Sequence, residues 1–245
     1  RKNYADTFKL VYPALYCGFE GIKIDNAERL RLKTEQEEKL RKAEQNLRIA
    51  FANPNFDPGS WQQKQFYLYE ILGAKNPKLG KSSSGTDEKN LKAVAEQHPM
   101  LALIVDWILE YMGAQKAVGT YFTFRQLNER LLYSLDPFGT ETSRMACKAS
   151  SFWVGTQAQN IPGYAKSMLV ADDEEELCEI DNSQSEARCT AYLAQEPALI
   201  AALENAERDF YKTLATLFFD IPYEEVTDFF RNKVLKRIVH GTNYM

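Results

Sequence analysis

Between residues 26 and 52 charged and amide side chains predominate, yet Leu40, Ala43, Leu47 and Ala50 recur at spacings of three and four. That spacing draws one narrow apolar stripe along a helix whose remaining circumference is polar. Asp25 or Asn26 can cap its start, and Asn53-Pro54 ends it. Residues 97–118 predict a second long helix, with Leu101, Ile104, Val105, Ile108 and Met112 on one face. Short helical pieces fill the interval, broken by Pro58-Gly59 and by the Lys- and Ser-rich loop 78–85. Two long helices with a tip between them make an antiparallel arm.

Outside the arm the periodicity changes. Residues 1–25 hold a short apolar helix pattern, then a turn and a brief strand-like alternation through Gly21-Ile22-Lys23-Ile24-Asp25. After Gly119, residues 120–124 and 130–135 read as strands. Residues 164–170 and 177–181 flank the acidic run Asp172-Asp173-Glu174-Glu175-Glu176 as a hairpin, the run being a solvated tip rather than a cation site. From Ser185 the pattern is helical, with Pro197, Pro222 and Thr227-Asp228 marking three successive helices. The expected class is α+β, an antiparallel sheet platform carrying helical arms.

A chain of 245 residues with 44% hydrophobic content buries a real core and can divide it among two or three lobes. The net charge of -4 argues against wholesale coating by a polyanion but leaves room for local basic surface. Four cysteines without a Cys-x-x-Cys pair read as reduced thiols in a cytoplasm, and two histidines, His98 and His240, disfavour a His/Cys zinc site. No apolar run is long enough to span a bilayer, and the start is not of signal type, so no membrane partner is expected. The chain starts at Arg1 without Met and stops inside a helical pattern, which reads as cut ends or as one piece of a split protein.

Chemistry concentrates in two places. In residues 179–188 an apolar segment delivers Asp181, and Glu186 follows five residues on. A carboxylate so placed, with the Asn182 carbonyl beside it, can hold a metal ion facing a nucleotide; equally, Asp181 can be a helix N-cap, since Ser183 and Glu186 follow in capping-box style. In the last helix, Asn232, Lys236 and His240 fall at i, i+4 and i+8 on one face, with Asn243 or Tyr244 slightly off axis. Lys236, with Arg237 or Arg231, can bind a phosphate chain, His240 and Tyr244 can stack on a base, and Gly241 permits close approach. The alternative is a basic amphipathic helix end packed on its neighbours, its lysine facing the helix dipole.

The order of these segments resembles the family A DNA polymerases, the DNA polymerase I-like group, with a phage-like pattern. Gly21 to Asp25 resembles the segment before the thumb, and Asn53 to Leu72 the thumb's Asn/Pro entry and following helix. Thr120-Tyr121 resembles the return to the palm, Thr142-Ser143-Arg144 the family's Thr-Gly-Arg, and Gln159-Asn160-Ile161-Pro162 its Gln-Asn-Ile-Pro. Asp181 to Arg188 resembles motif A, usually Asp-Tyr-Ser-Gln-Ile-Glu-Leu-Arg. Lys236 to Tyr244 resembles the Lys-x3-Phe-Gly-x2-Tyr of the O-helix. The likeness spans nearly the whole chain, and the motif A and Gln-Asn-Ile-Pro elements are specific.

The resemblance implies a right-hand architecture: 1–25 a palm-associated segment, 26–118 thumb, 119–190 partial palm with motif A, and 191–245 partial fingers ending in the O-helix. It implies that Asp181 is a catalytic Mg²⁺ ligand with the Asn182 carbonyl beside it, and that Lys236 neutralises the triphosphate. Gln184 would line the nucleotide site, Glu186 would reject a ribose 2′-hydroxyl, and Tyr244 would hold the template side. Lys81, Thr120, Arg144, Gln159 and Asn160 would contact primer-template DNA.

The sequence departs from the pattern at several positions. His240 replaces the stacking Phe or Tyr, Asn182 a Tyr, and Ser143 a Gly. Tyr211 stands where many members have a His near the phosphates, and Asn232 stands in place of a phosphate-binding Arg, for which Arg231 can serve by a one-residue shift. The family's second metal-binding Asp, in a His-Asp-Glu segment, has no counterpart here. A two-metal site then cannot close on these residues alone. The expected function is DNA-templated DNA polymerase activity on a primer-template and dNTPs, requiring a complementary polymerase chain. Two alternatives stand beside it: a non-catalytic duplex-binding module gripping phosphates through Lys75, Lys78, Lys81 and Lys89, and a helical interaction protein.

Overall fold

The computed structural model describes residues 2–78, 84–141, 144–149 and 154–242. They form two compact units, residues 1–177 and 178–245.

In the first unit, helices α1 (Lys2–Phe8) and α2 (Val11–Glu20) lead into strand β1 (Ile22–Ile24) through Gly21. Gly21 sits at φ 62° and ψ -165°, a region essentially reserved for glycine. A Cβ there would lie 2.5 Å from the Leu131 carbonyl oxygen, so the turn lets β1 run close against its neighbour. Asp25 then caps helix α3 (Asn26–Ala50), its Oδ1 accepting from the Ala27 and Glu28 amides at 2.9 and 3.0 Å.

The arm forms, with its stripe shifted. Leu32, Gln36, Ala43 and Leu47 are the buried edge of α3, while Ala50 is exposed. After α4 (Trp61–Gln65), which continues as a π-helix over Phe66–Ile71, come α5 (Glu88–Gln97), a 3-10 turn at Pro99–Leu101, and α6 (Ala102–Lys116). The second arm helix therefore begins at 102 rather than 97, because His98 leaves helical geometry and Pro99 has no N–H to continue the ladder. It runs on as a π-helix over Ala117–Phe122, so the strand expected at 120–124 is absent.

The two helices are antiparallel: Leu47 of α3 shares a core with Val105 and Ile108 at the tip, and Leu32 shares one with Ala117 and Tyr121 at the base. Phe51 and Phe56 with Tyr67 fill the tip, at ring separations of 4.5 to 5.3 Å. At the base, the Arg29 Nε donates to the Phe122 carbonyl at 3.0 Å, closing the end of the π-helix.

The platform is smaller than expected. β1 pairs antiparallel with β2 (Arg130–Leu131), Ile22 opposite Leu131, and with β5 (Leu169–Val170), Ile24 opposite Leu169. β3 (Tyr133–Asp136) and β4 (Ala146–Ala149) form a separate antiparallel pair. The expected hairpin does not form. Residues Gly163–Met168 are 3-10 helix with Ala165 and Met168 buried at its three-residue period, and 177–181 contains no strand. Leu177 and Ile180 are 57% and 89% exposed, so the apolar alternation there covers no surface that would hold a strand in register. Nor is the acidic run simply a solvated tip: Arg130 grips Asp172 through two bonds of 2.6 and 2.8 Å, and Lys23 pairs with Asp173 at 3.0 Å.

The second unit is helical: α7 (Ser185–Ala194), α8 (Pro197–Glu204), α9 (Phe210–Phe219), a 3-10 turn at Tyr223–Glu225, and a last helix with a π segment, Phe230–Leu235, continuing as α10 (Lys236–Thr242). Pro197 opens α8, and the Thr227 Oγ1 accepts from the Phe230 amide at 3.2 Å, as the sequence predicts. Ala191, Leu203, Phe210, Leu214, Leu235 and Val239 form its core. All four cysteines are unpaired, and among the described residues no helix is long and apolar enough to cross a membrane.

Gly21→Ala should destabilise the fold by about 1–3 kcal/mol through backbone strain, and further through the clash with Leu131, as read by thermal denaturation. The Glu28 carboxyl is held at about 2, by Arg31 first and by the Ser167 hydroxyl second. Because its folded value is depressed, what it contributes to stability is present above the ordinary glutamate value near ~4.3 and is lost as pH falls toward that folded value. An NMR titration should show this low midpoint in the wild type and a rise in Arg31→Ala.

Candidate functional site

A cleft of about 410 Å³ opens within the second unit, lined by residues 181–187, Tyr211, Arg231 and Lys236. The sequence-predicted Asp181, Asn182, Gln184, Glu186, Arg231 and Lys236 thus converge. Asp181 is brought there by an exposed loop, not by a strand end. It is also not a helix cap: the N-cap of α7 is Gln184, left-handed at φ 53° and without a side-chain capping bond. Arg188 ties the loop down, donating from Nε to the Ser183 carbonyl at 3.1 Å and from Nη2 to the Leu203 carbonyl at 2.7 Å. Among the described residues the Asp181 carboxylate has no hydrogen-bond or ion-pair partner.

The opposite wall is built on Tyr211, buried near the start of α9. The Arg231 guanidinium carbon and the Lys236 Nζ each lie 5.5 Å from its ring centroid. Burial pushes the Tyr211 hydroxyl above its usual range. Asp209, the N-cap of α9, accepts from the Lys212 amide at 3.0 Å and through Oδ2 from Arg231 at 3.0 and 2.6 Å. Burial alone would raise the Asp209 carboxyl, but these bonds and the Arg231 charge hold it below the usual range. Sequence reasoning passed over Asp209, whose only trace was an acid directly before the apolar start of α9.

The last helix departs from the expected register. The Lys236 amide donates to the Arg231 carbonyl, five residues back, and Arg231 rather than Asn232 lines the cleft with Lys236. Asn232 is exposed, and its Oδ1 accepts from Arg231 at 2.7 Å. The side chain of His240, and Tyr244 altogether, lie outside the described residues, as does Lys81.

In the first unit, Arg144, Gln159 and Asn160 are exposed. The Gln159 side chain donates to the Met145 carbonyl at 3.3 Å, and Asn160 donates to the Gln157 side chain, whose Nε2 in turn donates to the Cys147 carbonyl at 2.7 Å. These bonds hold Gln159 and Asn160 beside residues 145–147, which follow Arg144 directly. Thr120 is exposed on the π segment that ends the arm.

The Asp181 carboxylate and Asn182 carbonyl are hard oxygen donors of the kind that suits Mg²⁺. They amount to part of a coordination shell, since among the described residues no group of three or more His, Cys, Asp or Glu side chains could hold a metal ion.

The family model described as DNA polymerase family A matches residues 27–245. DNA polymerase I of Helicobacter pylori is 28% identical over 237 residues, covering 92% of this chain and 24% of that protein. DNA polymerase I of Caldicellulosiruptor bescii is 25% identical over 259 residues, covering 98% and 28% respectively. The chain thus spans about a quarter of the length of these relatives. Among solved structures, the POL domain of Pol1 from M. smegmatis in complex with DNA primer-template and dNTP superposes with a TM-score of 0.72 over 91% of this chain and 39% of that one, at 22% identity, which shows a shared fold. With the family match running from residue 27 to the end of the sequence, the chain belongs to DNA polymerase family A.

Proposed function

We propose that this chain serves DNA-templated DNA synthesis, the transfer of dNTPs to a primer 3′-hydroxyl, as a palm-associated segment (1–25), thumb (26–118), partial palm (119–190) and partial fingers (191–245). The observation that carries the reading is the cleft in which Asp181, a carboxylate without a partner among the described residues, faces the same space as Lys236 and Arg231 on the Tyr211 ring. Lys236 and Arg231 hold the triphosphate and stabilise the charge that grows on the departing pyrophosphate. Glu186, half-buried at the first turn of α7, stands beside the sugar, and Gln184 lines the same wall. Asp181 with the Asn182 carbonyl would hold Mg²⁺, which when bound favours the deprotonated primer hydroxyl and neutralises phosphate charge. His240 and Tyr244 are assigned to the base, and Lys81, Thr120, Arg144, Gln159 and Asn160 to the primer-template.

This sequence supplies one of the two carboxylates that a two-metal site needs. A segment carrying the other, on a longer form of this polypeptide or on a complementary chain, is required for extension. Four free cysteines suit a reducing compartment such as a bacterial cytoplasm. A second reading, a duplex-binding module without chemistry, draws on the exposed Lys75, Lys78 and Lys89 of the arm.

With Mg²⁺, the isolated 245-residue chain should not extend a primer; extension at the rate of an intact enzyme would overturn the requirement for a second segment. In a complex completed by that segment, Asp181→Ala should lower the extension rate on the order of a thousandfold or more while duplex affinity holds. A loss of affinity alone would favour the binding module. Duplex affinity should fall steeply with salt, and each of Lys75→Ala, Lys78→Ala and Lys89→Ala should reduce the log–log slope by about 1 if that lysine meets a phosphate.

A further inference from the structure

Gln36 lies on the buried edge of α3, between Leu32 and Ala43, and is only 7% exposed. Its carboxamide offers two N–H donors beside an acceptor oxygen, and among the described residues none of these has a partner. Burying an amide without hydrogen bonds is costly, so its place in an apolar stripe calls for a group that meets it.

There is room for such a group. Gln36 lines a groove of about 600 Å³ between α3 and α6 in the first unit, a volume inside the range of roughly 300–1,000 Å³ usual for small-molecule sites. Gly113 of α6 lines it too, and a Cβ there would meet nothing within 4 Å. No contact therefore demands glycine at this helical position, where it lowers helix propensity; what its missing side chain does is leave the groove open.

The lining also carries groups able to hold a ligand. Arg31 is taken up by Glu28 and Glu35, whereas Lys39 of α3 and Glu110 of α6 have no ion pair among the described residues. Tyr164, 50% exposed, adds an aromatic ring. A neutral amide with donor and acceptor side by side, a ring to stack on and one free cation are the chemistry that receives a base with a phosphate attached.

We propose that this groove binds an adenine nucleotide: Gln36 pairs with the N6 amino group and N7 of the base, Tyr164 stacks on the ring, and Lys39 meets the phosphate. Adenine presents a donor next to an acceptor on that edge and so matches a carboxamide, while guanine presents two acceptors there. Glu110 accepts from a ribose hydroxyl. The site belongs to the first unit and does not depend on the nucleotide reading of the Asp181 cleft in the second.

The test is calorimetric titration of the 245-residue chain with AMP, GMP, adenosine and a short single-stranded oligodeoxyadenylate, with a melting temperature for every variant. AMP should bind roughly tenfold or more tighter than GMP. Gln36→Leu, which removes the carboxamide at similar size, should weaken AMP roughly tenfold or more while the melting temperature holds or rises. Gly113→Leu should block the groove and also keep or raise the melting temperature, so it decides if Gln36→Leu fails to fold. Lys39→Ala should weaken AMP and leave adenosine unchanged. Binding of AMP makes the ligand a free nucleotide; binding of the oligonucleotide alone, lost in the same variants, makes it an unstacked adenine of a single strand. Binding of neither, with Gln36 then met by water alone, would overturn the proposal, and so would AMP binding equal to GMP. AMP binding that survives both Gln36→Leu and Gly113→Leu but is lost in Lys236→Ala would also overturn it and place the ligand in the second unit.

Discussion

The arm depends on one close helix contact. A charged helix with an apolar edge only one side chain wide cannot bury itself unless another backbone comes near, and small side chains make that possible here: Ala43 of α3, and Ala114 and Ala117 at the end of the opposing helix, are at most 3% exposed. Once α3 and α6 lie antiparallel, their ends define two cores. The tip gathers Phe51, Phe56 and Leu68; the base gathers Phe122, Leu131 and Met168, and through Leu131 it reaches the small sheet on β1. Gln36, buried within the stripe, is the polar exception.

The second unit uses a different economy, built on cations and one buried ring. Tyr211 gives its face to Arg231 and Lys236, and Asp209, two residues earlier, gives its carboxylate to Arg231. Within a few residues of one helix start, a cap, a π-face and an ion pair thus organise charges that would otherwise repel. Arg188 does comparable service for the facing loop by bonding two carbonyls, so neither wall relies on regular strand pairing.

Much of the arm was legible because helical periodicity survives in sequence: the Ala43 and Leu47 part of the stripe on α3, the face of α6 and a cap at Asp25 or Asn26 need only local information. The platform was less so. Leu177-Cys178-Glu179-Ile180 alternates like a strand, but alternation becomes a strand only when a partner edge and a surface to cover are present, and both are properties of tertiary structure. Residues 120–124 misled for a related reason, since aromatic and β-branched side chains also suit a buried helix end, as Tyr121 and Phe122 show. The π segments at 66–71 and 117–122 left no trace, because an extra residue in a helix does not change composition; the one at 230–235 showed only as the one-residue displacement of Arg231. The cleft itself was foreseen as the meeting of Asp181 with Lys236, whereas Asp209 was not, since its role depends on Arg231 arriving from another helix.

The loop that carries Asp181 is anchored through Arg188 to Ser183 and to Leu203 of α8, and residues 177–181 are joined to no sheet. The acid therefore belongs mechanically to the helical body that also bears Tyr211, Arg231 and Lys236. The separation between the prospective metal ligand and the cations is therefore set inside one compact unit, whichever lobe each of them is assigned to.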